Sequence, residues 1–148
     1  MTEPYIMLVD DETDYVEAMA ERLNNRNIKT ITAFSGAEGL EKLKSNQNLD
    51  VIVLDVRMPG MDGHATLKEI KKTAPMTEVI LLTGHATVES AIEGMKQGAF
   101  DYLMKPFEIE MLVSKVEDAA QKKLEHEKKI EEAEKQETLS KYGPFYYA

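Results

Sequence analysis

A chain of 148 residues is long enough for one compact domain with an appendage and too short for two domains of ordinary size. Hydrophobic residues at 43% and charged residues at 30% exclude a mainly disordered or fibrous protein, and the lack of Cys excludes disulfides and thiolate zinc sites. The net charge of −9 lies before residue 121, because Gln121 onward carries six Lys and six Glu; an acidic domain repels nucleic-acid phosphate, so direct nucleic-acid binding is not expected.

In chain order, Tyr5–Val9, Lys29–Ala33, Val51–Val56, Val79–Thr83 and Phe100–Met104 are short apolar runs rich in branched side chains, and each predicts a strand. The third and fourth are continuously apolar, the pattern of parallel strands covered on both faces. Amphipathic segments of helical length fall between them: Thr13–Asn25, Ser35–Lys44, Asp62–Thr73 and Thr87–Gln97. In the first, Val16, Met19, Ala20 and Leu23 recur at spacings of three and four and form one apolar stripe. Ser35 stands three residues before Glu38, a capping-box spacing, while Pro59-Gly60 and Gly98 mark turns or helix ends. Strict alternation of strand and helix predicts a doubly wound parallel α/β sheet with right-handed crossovers, whose functional residues gather at the carboxyl ends of the strands.

From Glu108 to Lys141 there is neither Gly nor Pro, so the fifth and last helix is expected to run on for about 30 residues and outgrow the domain. Leu112, Val116, Ala119, Lys123, His126, Ile130 and Ala133 trace a weak heptad along it. The expected division is therefore a domain over 1–120 and, over 121–148, a helical extension ended by Gly143-Pro144 with an aromatic tail of Phe145, Tyr146 and Tyr147. No run approaches the roughly 20 apolar residues that span a bilayer, and the N-terminus lacks a signal-peptide core, so the cytoplasm is the expected location.

Placed on this scaffold, the polar residues converge. Asp10 and Asp11 end the first strand, Asp55 ends the third, Thr83 the fourth, and Lys105 follows the fifth. Two carboxylates about 4 Å apart repel by about 4 kcal/mol at an effective dielectric near 20, so three together call for a cation or a raised pKa. Hard oxygen ligands suit Mg²⁺, which takes one or two carboxylates and phosphate oxygens and so favours phosphoryl chemistry over a closed cage. In that chemistry Asp55 is the nucleophile and Asp10 and Asp11 hold the metal, while Lys105 supplies a point charge to the phosphate and Thr83 a hydroxyl donor.

Four segments in order, Leu8-Val9-Asp10-Asp11-Glu12, Leu54-Asp55-Val56-Arg57-Met58-Pro59-Gly60-Met61-Asp62-Gly63, Leu82-Thr83-Gly84-His85 and Tyr102-Leu103-Met104-Lys105-Pro106-Phe107, resemble the motifs of response-regulator receiver domains over roughly Pro4–Ala120. The resemblance implies a flavodoxin-like five-stranded sheet of order 2-1-3-4-5 with five helices. It also implies a phosphoryl donor on a sensor histidine kinase or phosphotransfer protein, a backbone carbonyl of Arg57 on the Mg²⁺, and a cis peptide before Pro106. Thr83 and Tyr102 are then switch residues that change the face of helix 4, strand 5 and helix 5. A domain of this kind acts as a signalling switch that only phosphorylates and dephosphorylates itself, not as a turnover enzyme. Thr83–Lys96 looks most like receivers of the nitrogen-regulation subclass, which usually precede an ATPase module and a DNA-binding domain; neither is present in these residues, so a stand-alone receiver and a fragment both remain open.

Plainer roles compete at several positions. Asp10 and Asp11 could cap the first helix, and Tyr102 could be core packing. His64, His85 and His126 lack a second ligand at metal spacing and read as surface residues, although His85 and Arg57 resemble the variable receiver positions that tune phosphoryl lifetime. The extension is either a solvated helix or a dimerising coiled coil, so a homodimer could form through it or through the face of helix 4, strand 5 and helix 5.

Overall fold

The computed structural model describes residues 3–57, 62–84 and 88–143. Its elements alternate throughout: β1 (Tyr5–Val9), α1 (Thr13–Asn24), β2 (Lys29–Ala33), α2 (Gly36–Ser45), β3 (Val51–Asp55), α3 (Gly63–Thr73), β4 (Glu78–Thr83), α4 (Val88–Lys96), β5 (Asp101–Met104) and α5 (Ile109–Tyr142). All strand pairings are parallel and the order is β2-β1-β3-β4-β5, as the resemblance implied. The order reverses between β1 and β3, so the residues just beyond those two strands line the crevice where such sheets take their ligands.

The two-residue period of each strand divides the core. Ile6 and Leu8 of β1, with Val51 and Val53 of β3, face Val16, Met19, Ala20 and Leu23 of α1 and Leu112, Val116 and Ala119 of α5. Met7, Val9, Ile52 and Leu54 point the other way, onto Leu43 of α2 and Leu67 and Ile70 of α3. Every residue of β3 and β4 is buried, which explains their unbroken apolar runs.

Local chemistry sets the element ends. Ser35 caps α2 by accepting the Glu38 N–H at 3.1 Å, while the Glu38 carboxylate accepts the Phe34 N–H at 3.0 Å. Asp62 caps α3 by accepting the Ala65 N–H at 2.8 Å. Gly63, the first residue of α3, has no room for a side chain: a Cβ would stand 2.5 Å from Val56 Cα and 2.7 Å from the Asp55 carbonyl oxygen. This glycine lets α3 start directly against the end of β3. Thr87, the expected first residue of helix 4, the Pro59-Gly60 turn and the aromatic tail lie outside the described residues.

α5 has 34 residues, about 51 Å at 1.5 Å per residue. Its apolar stripe is buried from Ile109 as far as Lys123, and past that point His126, Ile130 and Ala133 are exposed. The first half of the heptad pattern is thus consumed by packing on the sheet. Lys123, with only 8% of its surface exposed, pairs with Asp50 at 3.1 Å and with Glu127 at 3.3 Å. Among the described residues no helix is long and apolar enough to cross a membrane.

Candidate functional site

The crevice beyond β1 and β3 is built from strand ends. Asp10 follows β1; its N–H donates to the Ala33 carbonyl at 3.1 Å and its Oδ1 accepts the Glu12 N–H at 3.0 Å, which fixes the carboxylate before α1 begins. The cap position of α1 is Glu12, without a side-chain cap bond, so neither Asp10 nor Asp11 serves that helix as its cap. Asp55 is the last residue of β3, held between α3 and the end of β4, where the Val56 N–H donates to the Leu82 carbonyl. Asp10 and Asp55 are buried and Asp11 is exposed, and one carboxylate oxygen from each lies within 4.8 Å of the others.

A cation closes the group. The Lys105 N–H donates to the Thr83 carbonyl at 2.9 Å, and the Lys105-Pro106 peptide is cis. The Lys105 Nζ stands 2.8 Å from Asp10 Oδ2, 3.9 Å from Asp55 Oδ1 and 4.6 Å from the centre of the Tyr15 ring. Burial opposes charge on this ammonium, but its hydrogen bond to Asp10 and the charges of Asp10 and Asp55 outweigh that and leave its pKa raised.

One lysine against three carboxylates leaves negative charge uncompensated. Burial, followed by repulsion from Asp10, pushes Asp55 up to about 6, against the opposing pull of Lys105 and of a hydrogen bond from the Arg57 backbone N–H. Near neutral pH Asp55 is therefore mostly ionised yet held at an electrostatic disadvantage. That is the setting in which a hard divalent cation, or the loss of carboxylate charge on esterification, lowers the energy. The donors are all carboxylate oxygens and fit Mg²⁺ by kind.

Asp10, Asp11, Asp55 and Lys105 thus come together, with Thr83 buried beside them at the end of β4. Arg57 is exposed one residue beyond Val56. Tyr102 lies apart. With 41% of its surface exposed, it joins Val88, Ala91, Ile92, Met95 and Lys96 around an apolar groove of about 420 Å³ between α4 and β5.

His64 departs from the expectation of a surface residue. It is half-buried, with Nε2 3.1 Å from Ser90 Oγ and Nδ1 3.3 Å from Gln97 Oε1, so it ties the start of α3 to both ends of α4. Neither this contact nor the Tyr15 ring over Lys105 had a sequence signal, because each pairs residues from separate helices and loops. His126 is exposed, as expected, and His85 lies outside the described residues.

The fold agrees with the comparison against known families. The model of the response regulator receiver domain matches residues 6–117. The chain belongs to that family. This receiver is 43% identical over 114 residues to the DNA-binding transcriptional regulator NtrC of Escherichia coli K12, an alignment that covers 77% of this chain and 24% of that protein. It is 36% identical over 138 residues to the transcriptional regulatory protein ZraR of the same organism, covering 93% of this chain and 30% of that protein. A solved receiver domain from Clostridium thermocellum superposes with a TM-score of 0.78 at 37% identity, over 81% of this chain and 96% of its own. The receiver spans about a quarter of the length of NtrC. It is of the nitrogen-regulation type, and its role is that of a phosphorylation-dependent switch in two-component signalling.

Proposed function

We propose that Asp55 is the phosphoacceptor of this receiver and that Asp10, Asp11, Asp55 and the Arg57 carbonyl hold a Mg²⁺ ion beside it. The observation that carries the reading is the meeting of three carboxylates within 4.8 Å under a single ammonium, at the crevice where strand order reverses. A carboxylate oxygen of Asp55 attacks phosphorus as the bond from phosphorus to the donor's leaving atom breaks, and the leaving group departs with that electron pair. Mg²⁺ held by Asp10, Asp11, Asp55 and the Arg57 carbonyl would neutralise charge on the phosphoryl oxygens. Lys105 moves its ammonium from Asp10 toward the new phosphate, and the Thr83 hydroxyl donates to a phosphate oxygen. Water later cleaves the acyl phosphate and restores the Asp55 carboxylate.

The donor is a phosphohistidine on a sensor histidine kinase or phosphotransfer protein, and the domain turns over nothing beyond its own phosphorylation and dephosphorylation. Thr83 and Tyr102 carry the change to the face of α4, β5 and α5. The exposed Tyr102 beside an open groove supports an outward, unphosphorylated position for that ring. The receiver occupies about 1–120 and works in the cytoplasm, and 121–148 serves as a helical extension. A homodimer forms through the α4-β5-α5 face or through the extension, and the receiver itself contacts no nucleic acid. Incubation with Mg²⁺ and acetyl phosphate should add one phosphoryl group by intact mass, and Asp55→Asn should add none; an unchanged mass for the unsubstituted chain would overturn the assignment.

A further inference from the structure

Among the described residues, the ammonium of Lys105 stands near Asp10, Asp55 and Tyr15, and the last carries no charge. Asp10 at 2.8 Å and Asp55 at 3.9 Å are the acids of the site, whereas the Tyr15 ring, 4.6 Å away at its centre, offers only its π face. Tyr15 sits in the first turns of α1 and is half-buried against the cluster that includes Val16 and Leu112, so the ring is anchored where it faces Lys105. Burial raises the Tyr15 pKa above the ordinary tyrosine value, with Lys105 opposing, which favours the neutral phenol.

Within the phosphoacceptor reading, Asp10 has two uses that compete. Its Oδ2 holds Lys105 in the structure described, and a metal ion in the crevice would draw on the same carboxylate. A lysine released from Asp10 has a long flexible stem and no fixed place to wait. An aromatic face attracts an ammonium through its quadrupole and takes no carboxylate oxygen from the metal.

We propose that Tyr15 is a positioning residue that retains the Lys105 ammonium at the mouth of the site once the carboxylates are engaged by metal, so that it meets the incoming phosphoryl oxygens. The role rests on the ring and not on the hydroxyl. Tyr15→Leu keeps an apolar side chain against the core and removes the π face, while Tyr15→Phe keeps the face and removes the hydroxyl.

The test uses the full 148-residue chain. Phosphorylation by acetyl phosphate is followed over a range of donor and Mg²⁺ concentrations, together with the NMR shifts of the Lys105 side-chain methylenes. Tyr15→Leu should slow phosphorylation about fivefold at unchanged Mg²⁺ affinity, the loss expected when one partly desolvated cation–π contact is removed. The Lys105 methylene shifts should lose their ring-current displacement in Tyr15→Leu. Tyr15→Phe should recover most of the rate and keep the displacement. A Tyr15→Leu rate equal to that of the unsubstituted chain, or equal losses in Leu and Phe, overturns the role of the ring. Failure of the unsubstituted chain to take up a phosphoryl group overturns the Asp55 assignment and this inference together, whereas normal uptake with Tyr15→Leu unimpaired overturns only the inference.

Discussion

Both edges of the sheet gather charge, and they do so with opposite balance. At the carboxyl edge three carboxylates share Lys105. At the amino edge the half-buried Asp50 and the buried Glu78 each have a cation partner. Asp50 holds Lys123 through Oδ1 at 3.1 Å and the Tyr5 N–H through Oδ2 at 2.8 Å, while Glu78, 4% exposed, lies 3.8 Å from Lys122. Lys71 completes that edge by donating to the carbonyls of Pro75 and Thr77, and burial lowers its pKa. Asp55 at the end of β3 is held at the expense of local stability, and the amino edge fastens α5 to the sheet. Charge that is matched holds the fold together; charge left unmatched is available for a ligand.

Removing an acid should therefore act with opposite sign at the two edges. The largest effect is on activity: Asp55→Asn should abolish phosphoryl uptake, read by intact mass, while Asp50→Asn should leave uptake intact. Next is stability at the amino edge, where Asp50→Ala leaves the buried Lys123 with only Glu127, takes the acceptor from the Tyr5 N–H, and should destabilise the fold by about 2 kcal/mol in urea unfolding. Equal stability of Asp50→Ala and the unsubstituted chain would erase the contrast.

Asp55→Asn should instead stabilise the metal-free chain above pH 7, by about 2 kcal/mol, because a disfavoured charge is gone. The pH dependence has the matching sign. The Asp55 pKa of about 6 lies above its ordinary 3.8, so the folded chain holds this proton more tightly than the unfolded one between those values. As the pH rises from about 4 to about 6 the metal-free protein should lose the stability this group contributes, and the loss should level off above that. Urea midpoints in chelator across that range should fall for the unsubstituted chain relative to Asp55→Asn; parallel curves would remove the assignment of the raised pKa. Mg²⁺ should narrow the gap above pH 6, by about 1.4 kcal/mol at ten times its dissociation constant. The smallest effect belongs to a pair at neither edge: Arg26 and Glu110 meet at 2.7 Å on an exposed surface, and Glu110→Ala should change stability by less than about 0.5 kcal/mol.

Strand and helix placement was legible because burial on both faces imposes an unbroken apolar run on β3 and β4 and a three-four stripe on α1. The expected strand over Val51–Val56 ran one residue past its end and that over Phe100–Met104 began one residue early, since an apolar side chain flanks the ladder at each place. The acidic group was legible for a different reason. Parallel strands deliver their carboxyl ends to one edge, so an Asp at the end of two apolar runs is placed by topology alone. The weak heptad of α5 was ambiguous over its first half, because a seam toward another helix and a stripe toward a sheet have nearly the same spacing.

By itself the sequence determined the alternation of elements, the edge at which the carboxylates collect and the residue types available there, because those follow from periodicity and from the chain order of strand ends. Only the tertiary structure decided which cation each acid meets. It gave Lys105 to Asp10 and to the face of Tyr15, Lys123 to Asp50, and His64 to both ends of α4. These partners stand 95, 90, 73, and 26 and 33 residues apart in the chain, and no local pattern records a contact made only when separate elements pack.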